Sequence, residues 1–209
     1  GSAGAKGTNC AATSGFKSGS IGGKNMASHK LAPNISGYEE FYVRYYYKTD
    51  PGYLWGAEKH LTINEPNTSA GIYWGHYHFG CGSGSGATVR QLQFVFTTIQ
   101  SFGNCPNVGG ITIQSGRWYA IQMHMKLNTL AGTANGVLET WVDDCGTDGL
   151  GCTGTPTLRF SRSDIDYANR QSSSDLIGEV WVENWANPES VGTAYYDQFI
   201  VSKTGSIGF

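Results

Sequence analysis

A repeat of two residues between apolar side chains is the feature that most limits how this chain can fold. In WYAIQMHMKL, residues 118–127, every second side chain is apolar, and Gln122, His124 and Lys126 share the other parity. Such alternation is typical of a β-strand with one buried and one exposed face. The stretch therefore predicts a strand that presents an amide, an imidazole and an ammonium group side by side.

Stretches of the same character recur along the chain and are separated by turn residues. The 209 residues include 30 glycines, and no convincing helical periodicity lies between the expected strands. These strands are FYVRYYYK from Phe41 and residues 58–64, 71–79, 89–99, 117–127, 136–143, 178–185 and 194–202. We expect an all-β, two-sheet antiparallel jelly roll at 38–209, with the glycine- and serine-rich residues 1–37 adding one or two weak strands to the same domain.

Charge and hydropathy argue against two kinds of partner. The formal net charge is −2, from 14 Lys and Arg against 16 Asp and Glu. The cations are scattered, so the chain has no basic stripe of the kind that nucleic-acid binding requires. No apolar run approaches the ~18 residues of a membrane span. We expect neither a nucleic-acid partner nor a membrane span.

Five cysteines indicate an oxidising compartment. Their loop settings lack the paired short spacings of a zinc site and favour disulfide bonds, so we expect a secreted, extracellular protein. The favoured pairings are Cys81 with Cys105 and Cys145 with Cys152, although sequence alone does not fix connectivity. Cys10 remains, either as a buried thiol or as a link to another chain, with self-association through the N-terminal segment.

The order of three stretches resembles a known fold family. FYVRYYYKTDPGYLWGAEKHLTI, WYAIQMHMKLNTLAGTANGVLETWVDD and AYYDQFIVSK are similar to the concanavalin-like jelly rolls of secreted polysaccharide lyases and related glycan-active or glycan-binding proteins, over residues 38–203. The resemblance implies a curved sheet whose inner face forms an open groove. It also implies a polysaccharide partner and a mechanism that requires no cofactor.

Parity assigns side chains to this groove. A glycan site combines aromatic rings, which stack on sugars, with polar groups that make directed hydrogen bonds. The expected contact residues are Lys126, Glu139, Trp141, Glu179, Trp181, Glu183, His60, His76 and His78. Lys59 shares its parity with Leu61 and Ile63, so we expect it to point away from the groove. For each of these positions a solvated strand face is the alternative interpretation.

The strand at residues 118–127 contains a stretch that resembles a lyase motif. Gln122-Met123-His124 is similar to the QIH motif of one alginate-lyase family, which implies that Gln122 binds the uronate carboxylate and His124 takes the C5 proton. Arg44 is the expected cation, and Tyr46, on the same parity, is the expected proton donor. The leading function is therefore a polysaccharide lyase that cleaves a uronic-acid-containing glycan by β-elimination.

Two other functions remain open. GEVWVENW places Glu179 and Glu183 at the spacing of the outer acids in the ExDxE strand of laminarinase-type glycoside hydrolases, but Trp181 stands where those enzymes have Asp. A non-catalytic carbohydrate-binding module, or an extracellular coat or filament subunit, would keep the fold and the groove without a proton-transfer set.

The loop DDCGTDGLGC offers a possible cofactor. Asp143, Asp144 and Asp148 are clustered carboxylates of the kind that suits a structural Ca²⁺ ion, but their spacing is not that of a regular calcium loop. A loop closed by a disulfide bond is the preferred interpretation.

Overall fold

The computed structural model describes residues 12–16, 24–30, 37–65, 73–81, 87–97, 100–186 and 190–208; for 12–16, 24–30, 73 and 183–186 it describes the backbone alone. In these ranges the chain forms strands and no helix. The strands are β1 (Ala12–Phe16), β2 (Lys24–Lys30), β3 (Glu40–Thr49), β4 (Glu58–Asn64), β5 (Tyr73–Phe79), β6 (Val89–Phe96), β7 (Asn107–Gln114), β8 (Trp118–Lys126), β9 (Gly136–Gly146), β10 (Leu158–Ile165), β11 (Glu179–Ala186) and β12 (Gly192–Ser202).

The strands form two antiparallel six-stranded sheets. Sheet A has the order β1-β12-β3-β8-β9-β10, and sheet B has the order β2-β11-β4-β5-β6-β7. Strands that are distant in sequence are neighbours in both sheets, as in β3 with β12 and β4 with β11. This arrangement confirms the predicted jelly-roll β-sandwich.

The core lies between the two sheets and is rich in aromatic rings. In strand β8 the side chains alternate in direction as predicted, because Ile121, Met123 and Met125 lie in this core while Gln122 and His124 lie on the opposite parity. The expected exposed face is wrong at these two positions, since both side chains are buried. Strand β3 contributes Tyr45 and other buried residues of the same parity. One face of each sheet is therefore committed to the core, and the other is available for function.

Two strands were not predicted from the sequence. Strand β7 contains two adjacent glycines, and β10 reads LRFSRSDI with little apolar alternation. Each lies at one edge of its sheet. Edge strands have a neighbour on one side only and need less apolar character, so the periodic signal is weakest there.

Two disulfide bonds close loops of the sandwich. They join Cys81 to Cys105 and Cys145 to Cys152, the pairings that the sequence favoured. Cys10 lies outside the described residues, as does most of the N-terminal segment to which self-association was assigned. Over the ranges given above, no helix is long and apolar enough to cross a bilayer.

Candidate functional site

The predicted site residues are divided between the outer faces of the two sheets. We call the outer face of sheet A the A face; it carries the predicted residues Arg44, Tyr46, Gln122, His124, Lys126, Glu139 and Trp141. We call the outer face of sheet B the B face; it carries His76, His78, Glu179 and Trp181. The structure therefore does not bring the predicted residues together in one groove.

Residues 206–208 cover the centre of the A face. Gln122 is fully buried beneath them: its Nε2 donates to Ser206 Oγ at 3.0 Å, and its Oε1 accepts the Ile207 amide at 3.0 Å. Arg44, directly opposite Gln122 in register, donates to the Gly208 carbonyl. The two groups predicted to bind a uronate carboxylate instead bond to residues 206–208 of the chain itself.

His124 is held between two carboxylates on the same face. Its Nδ1 lies 2.9 Å from Glu139 Oε2 and its Nε2 lies 2.8 Å from Glu40 Oε1. The ring also stacks on Tyr42, with 4.2 Å between ring centroids. An imidazole acts as a base through an unprotonated nitrogen that faces the substrate. Both nitrogens of His124 face protein oxygens, so this geometry does not favour the predicted role as base.

The remaining predicted residues of the A face are also in protein contacts. Tyr46 is fully buried in a small cluster with Trp118 and the Cys145–Cys152 disulfide, which does not suit a proton donor to substrate. Lys126 Nζ lies 3.9 Å from Glu40 Oε2. Trp141 is half-buried and lies opposite Gln122 in the register of β8 and β9.

The three aspartates proposed for calcium have separate partners. Asp143 accepts the Thr157 amide at 2.9 Å, Asp148 accepts the Leu150 amide at 3.0 Å, and Asp144 pairs with Arg117 at 2.8 Å. Among the residues that the structure describes, no group of three His, Cys, Asp or Glu side chains is arranged to hold a metal ion.

A bulge in strand β4 changes which residues reach the B face. Lys59 pairs with His78, but the next pairing joins Leu61 to Tyr77, so the register shifts at His60. His60 is fully buried in the core, with its ring stacked 4.6 Å from Phe79. The parity argument was therefore wrong for both neighbours: His60 does not face the groove, and Lys59 shares the B face with its partner His78.

The B face brings polar side chains from three strands into adjacent rows. Thr62 of β4 lies opposite Trp181 of β11 on one side and His76 of β5 on the other. The next row joins Lys59 to His78. Because neighbouring strands are ~4.8 Å apart, each row places its groups within reach of one sugar ring.

Burial keeps the two B-face imidazoles neutral. Burial, and then the nearby positive charge of Lys59, lower the pKa of His76 to about 2 and that of His78 to about 4. The two ring centroids are 5.7 Å apart. At neutral pH both rings are therefore uncharged and lie close to an ammonium group.

Several buried polar atoms of the B face have unfilled hydrogen-bonding capacity. Thr62 Oγ1, Asn64 Nδ2 and His78 Nδ1 have no hydrogen-bond partner among the described residues. Each of these side chains is more than nine-tenths buried. An unmet buried polar group costs about 1–3 kcal/mol, so a cluster of them is unusual unless a ligand completes it.

Trp181 and Glu179 form one wall of this cluster. The half-buried Trp181 indole donates through Nε1 to Glu179 Oε2 at 2.8 Å. This bond fixes the plane of an aromatic ring in the row that contains Thr62 and His76. The side chain of Glu183, the third predicted residue of β11, lies outside the described residues.

Sequence prediction thus found four residues of the B face and missed three. His76, His78, Glu179 and Trp181 were predicted, whereas Lys59, Thr62 and Asn64 were not assigned to a site. Thr62 and Asn64 alternate with the apolar Leu61 and Ile63 on strand β4, which was a usable signal. Lys59 had no such signal, because the bulge that turns it outward leaves no mark in the sequence pattern.

The whole fold is similar to those of solved polysaccharide lyases. A PL-14 alginate lyase from Aplysia kurodai aligns with a TM-score of 0.64 and 14% identity, over 95% of this chain and 85% of that one. An endo-β-1,4-glucuronan lyase from Trichoderma reesei aligns with a TM-score of 0.56 and 13% identity, over 92% of this chain and 79% of that one. A mutant alginate lyase in complex with an alginate trisaccharide aligns with a TM-score of 0.57 and 14% identity, over 93% of this chain and 82% of that one. These likenesses confirm the concanavalin-like jelly-roll fold.

At the level of sequence the chain has no comparable match. No family model and no curated protein matches it. The fold is therefore established, and the function is to be argued from the site.

Proposed function

We propose that this protein is a polysaccharide lyase that cleaves a uronic-acid-containing glycan by β-elimination on the B face. The observation that carries the proposal is the cluster of unpaired, buried polar atoms at Thr62, Asn64 and His78, beside the ammonium group of Lys59. The fold shared with alginate and glucuronan lyases agrees with an acidic glycan as partner.

Lys59 supplies the positive charge that elimination needs. The C5 proton of a uronate becomes more acidic when a cation neutralises the adjacent carboxylate, because negative charge then spreads onto that group. Thr62 and Asn64 lie on the same face of β4 and offer a hydroxyl and an amide as donors to the carboxylate or to ring hydroxyls. This assignment moves the carboxylate site from Gln122 and Arg44 to the B face.

His78 is the proposed base. Its ring is neutral, and its Nδ1 is unpaired among the described residues. A bound carboxylate raises the pKa of a nearby imidazole, so the substrate itself strengthens this base. His78 takes the C5 proton, the C4–O bond breaks as the C4–C5 double bond forms, and the imidazolium returns the proton to the leaving oxygen. The steps balance without a metal or a cofactor.

Trp181 is the proposed sugar platform. A half-buried indole offers an apolar surface to the C–H face of a pyranose ring, and the hydrogen bond to Glu179 prevents it from rotating away. Glu179 therefore orients the ring that contacts the glycan. The two disulfide bonds support secretion, since such bonds persist in oxidising, extracellular compartments.

Absorbance at near-ultraviolet wavelengths tests this proposal, because elimination creates an unsaturated uronate. Wild type is incubated with alginates, glucuronans and glycosaminoglycans alongside the His78→Ala and His124→Ala variants. With wild type we expect absorbance to rise with at least one uronan. The rate of this rise should be ~10²–10⁴-fold lower for His78→Ala and should differ less than ~3-fold from wild type for His124→Ala.

Two other outcomes contradict the proposal in different ways. A flat trace with unchanged reducing ends across the panel favours a carbohydrate-binding or structural protein. A rise that is lost in His124→Ala and kept in His78→Ala returns the active site to the A face.

A further inference from the structure

A buried carboxylate lies immediately before Lys59 in the chain. Glu58 is fully buried. Its carboxylate accepts hydrogen bonds from three hydroxyl groups, those of Tyr53 at 2.8 Å, Ser190 at 3.3 Å and Tyr47 at 3.5 Å. Strand β3, the turn that follows it and the segment before β12 therefore converge on one side chain. The mechanism proposed above does not use Glu58.

Further hydrogen bonds extend this network to the backbone. Ser190 Oγ accepts the Gly56 amide at 2.7 Å, and Leu54 pairs with Val191 through bonds of 3.0 and 2.9 Å. The turn at residues 53–56 is thus fastened to residues 190–191 directly above Glu58. We call this set of contacts, Tyr53, Leu54, Gly56, Glu58, Ser190 and Val191, the latch.

Burying a carboxylate among aromatic rings is costly, and this one is close to the site. Glu58 pairs with Phe79 and Lys59 pairs with His78, so the two residues occupy successive rungs at the start of the β4 bulge. A costly buried polar network next to a proposed site is more easily explained by function than by stability.

We propose that the latch is proton-sensitive and that Glu58, as a positioning residue, uses it to hold Lys59 on the B face. The protonated latch is closed and keeps the bulge in place. Ionisation of Glu58 favours a local opening that lets water reach the carboxylate. The consequence for substrate rests on the proposed function, because it assigns the uronate carboxylate to Lys59.

The titratable groups around Glu58 agree with this direction. Burial raises the pKa of Glu58 from 4.5 to about 7, against the opposing effect of its hydroxyl donors. Tyr47, Tyr53 and Tyr196 face the same region, and burial raises the pKa of the first two far above neutrality. His60, next but one along β4, has its pKa lowered by burial to about 3. Among Glu58, Tyr47, Tyr53 and His60, only Glu58 titrates between pH 4.5 and 7.

The sign of the effect follows from linkage. The open latch exposes Glu58 to water, so its carboxyl there titrates near 4.5, whereas the closed latch holds it near 7. The closed state binds more protons between these values, and opening therefore becomes easier as pH rises through this window. Above about pH 7 both states are ionised and the effect levels off.

Amide hydrogen exchange of the protein without glycan tests the latch. The protection factors of the Leu54, Gly56 and Val191 amides are measured by NMR from pH 5 to pH 8. In wild type we expect protection to fall by up to tenfold per pH unit and to level off near pH 7. In Glu58→Gln, which keeps the shape but not the charge, we expect no such slope.

Two further variants keep the test decisive. Tyr53→Phe removes the donor of the shortest bond to Glu58, so the slope should extend to higher pH. Asp164→Asn changes a carboxylate on β10 and should retain the wild-type slope. A wild-type protection that does not vary with pH, or a Glu58→Gln slope equal to that of wild type, overturns the proton-sensitive latch.

The positioning role has a separate readout. We expect the wild-type KM for a polyuronate to rise between pH 5 and pH 7 relative to that of Glu58→Gln, with the ratio of the two kcat values unchanged. A constant KM ratio overturns positioning even if exchange shows the slope. Absence of elimination in every variant contradicts the proposed function, and the exchange result still decides the latch.

Discussion

The outer faces of the two sheets carry similar residue types but differ in how their polar atoms are satisfied. On the A face, Gln122 bonds to residues 206 and 207, and His124 lies between Glu40 and Glu139. On the B face, Thr62 and His78 keep buried polar atoms without a partner among the described residues. Arg44 Nε of the A face also lacks a partner among these residues, so the two faces differ at Gln122 and His124, which are paired, and not in every polar atom.

This difference teaches that the types of residue on a strand face are a weaker guide to a site than the polar atoms there that lack a hydrogen-bond partner. A His and a Gln on one strand resemble catalytic machinery until their partners are known. Because a satisfied polar network gains little from a ligand and loses bonds to it, the Gln122 and His124 side chains are better suited to stability than to substrate binding.

Between matched variants of the two faces, the largest difference is expected at the B-face cation. Lys59→Met keeps the length of the side chain and removes its charge. Loss of one partner of a desolvated charge pair costs about 2–5 kcal/mol, so we expect kcat/KM on a polyuronate to fall by ~30-fold or more. Lys126→Met is the matched variant on the A face and should change kcat/KM less than ~2-fold. Equal losses in both variants would remove the distinction between the faces.

The next effect concerns acid stability. The pKa of His76 is about 2 in the folded protein, against 6.5 as its ordinary value, because burial and Lys59 oppose its charge. The unfolded chain binds this proton first, so stability is present above pH 6.5 and is lost as pH falls below it. Between pH 6.5 and pH 5 the free energy of unfolding should therefore fall by about 2 kcal/mol less in His76→Gln than in wild type, as measured by urea unfolding at each pH. An unchanged pH slope would contradict the buried, neutral state of His76.

A smaller effect is expected from breaking the cover of the A face. Gln122→Ala removes both bonds to residues 206 and 207 and should lower the free energy of unfolding by about 1–2 kcal/mol. Because this face is not the proposed site, kcat/KM at a temperature where the variant is folded should stay within ~2-fold of wild type. A large loss of activity without a loss of stability would point back to the A face.

The smallest effect has opposite signs at an unpaired and at a paired buried threonine. Thr62→Val removes an unpaired buried hydroxyl, so we expect about 1 kcal/mol of stabilisation together with a several-fold rise in KM. Thr140→Val removes a buried hydroxyl that is bonded to Tyr77 at 2.8 Å, and it should destabilise without affecting KM. Destabilisation by Thr62→Val would mean that its hydroxyl is already satisfied.

The fold was accessible from the sequence because its signal is local. Alternation within β8 and β9, and the loop settings of four cysteines, indicated the sandwich and its two disulfide pairings. The unpredicted strands β7 and β10 lie at sheet edges, where apolar alternation is not required.

The site was less accessible because its determinants are not local. Gln122 is covered by residues more than 80 positions away, so no pattern near β8 reveals its burial. One extra residue at His60 reverses the side to which Lys59 points, and parity cannot register a bulge. What the sequence did supply correctly was the presence of His76, His78 and Trp181 on an outer strand face.

NMR of the histidine rings tests most directly whether the glycan binds the B face. The chain has five histidines, of which His76 and His78 lie on the B face, His124 on the A face and His60 in the core. Titration with a uronate trisaccharide should shift the ring signals of His76 and His78 and leave those of His60 and His124 in place. A shift confined to His124 would contradict the account, because it would place the glycan on the A face, where both nitrogens of His124 already face carboxylates.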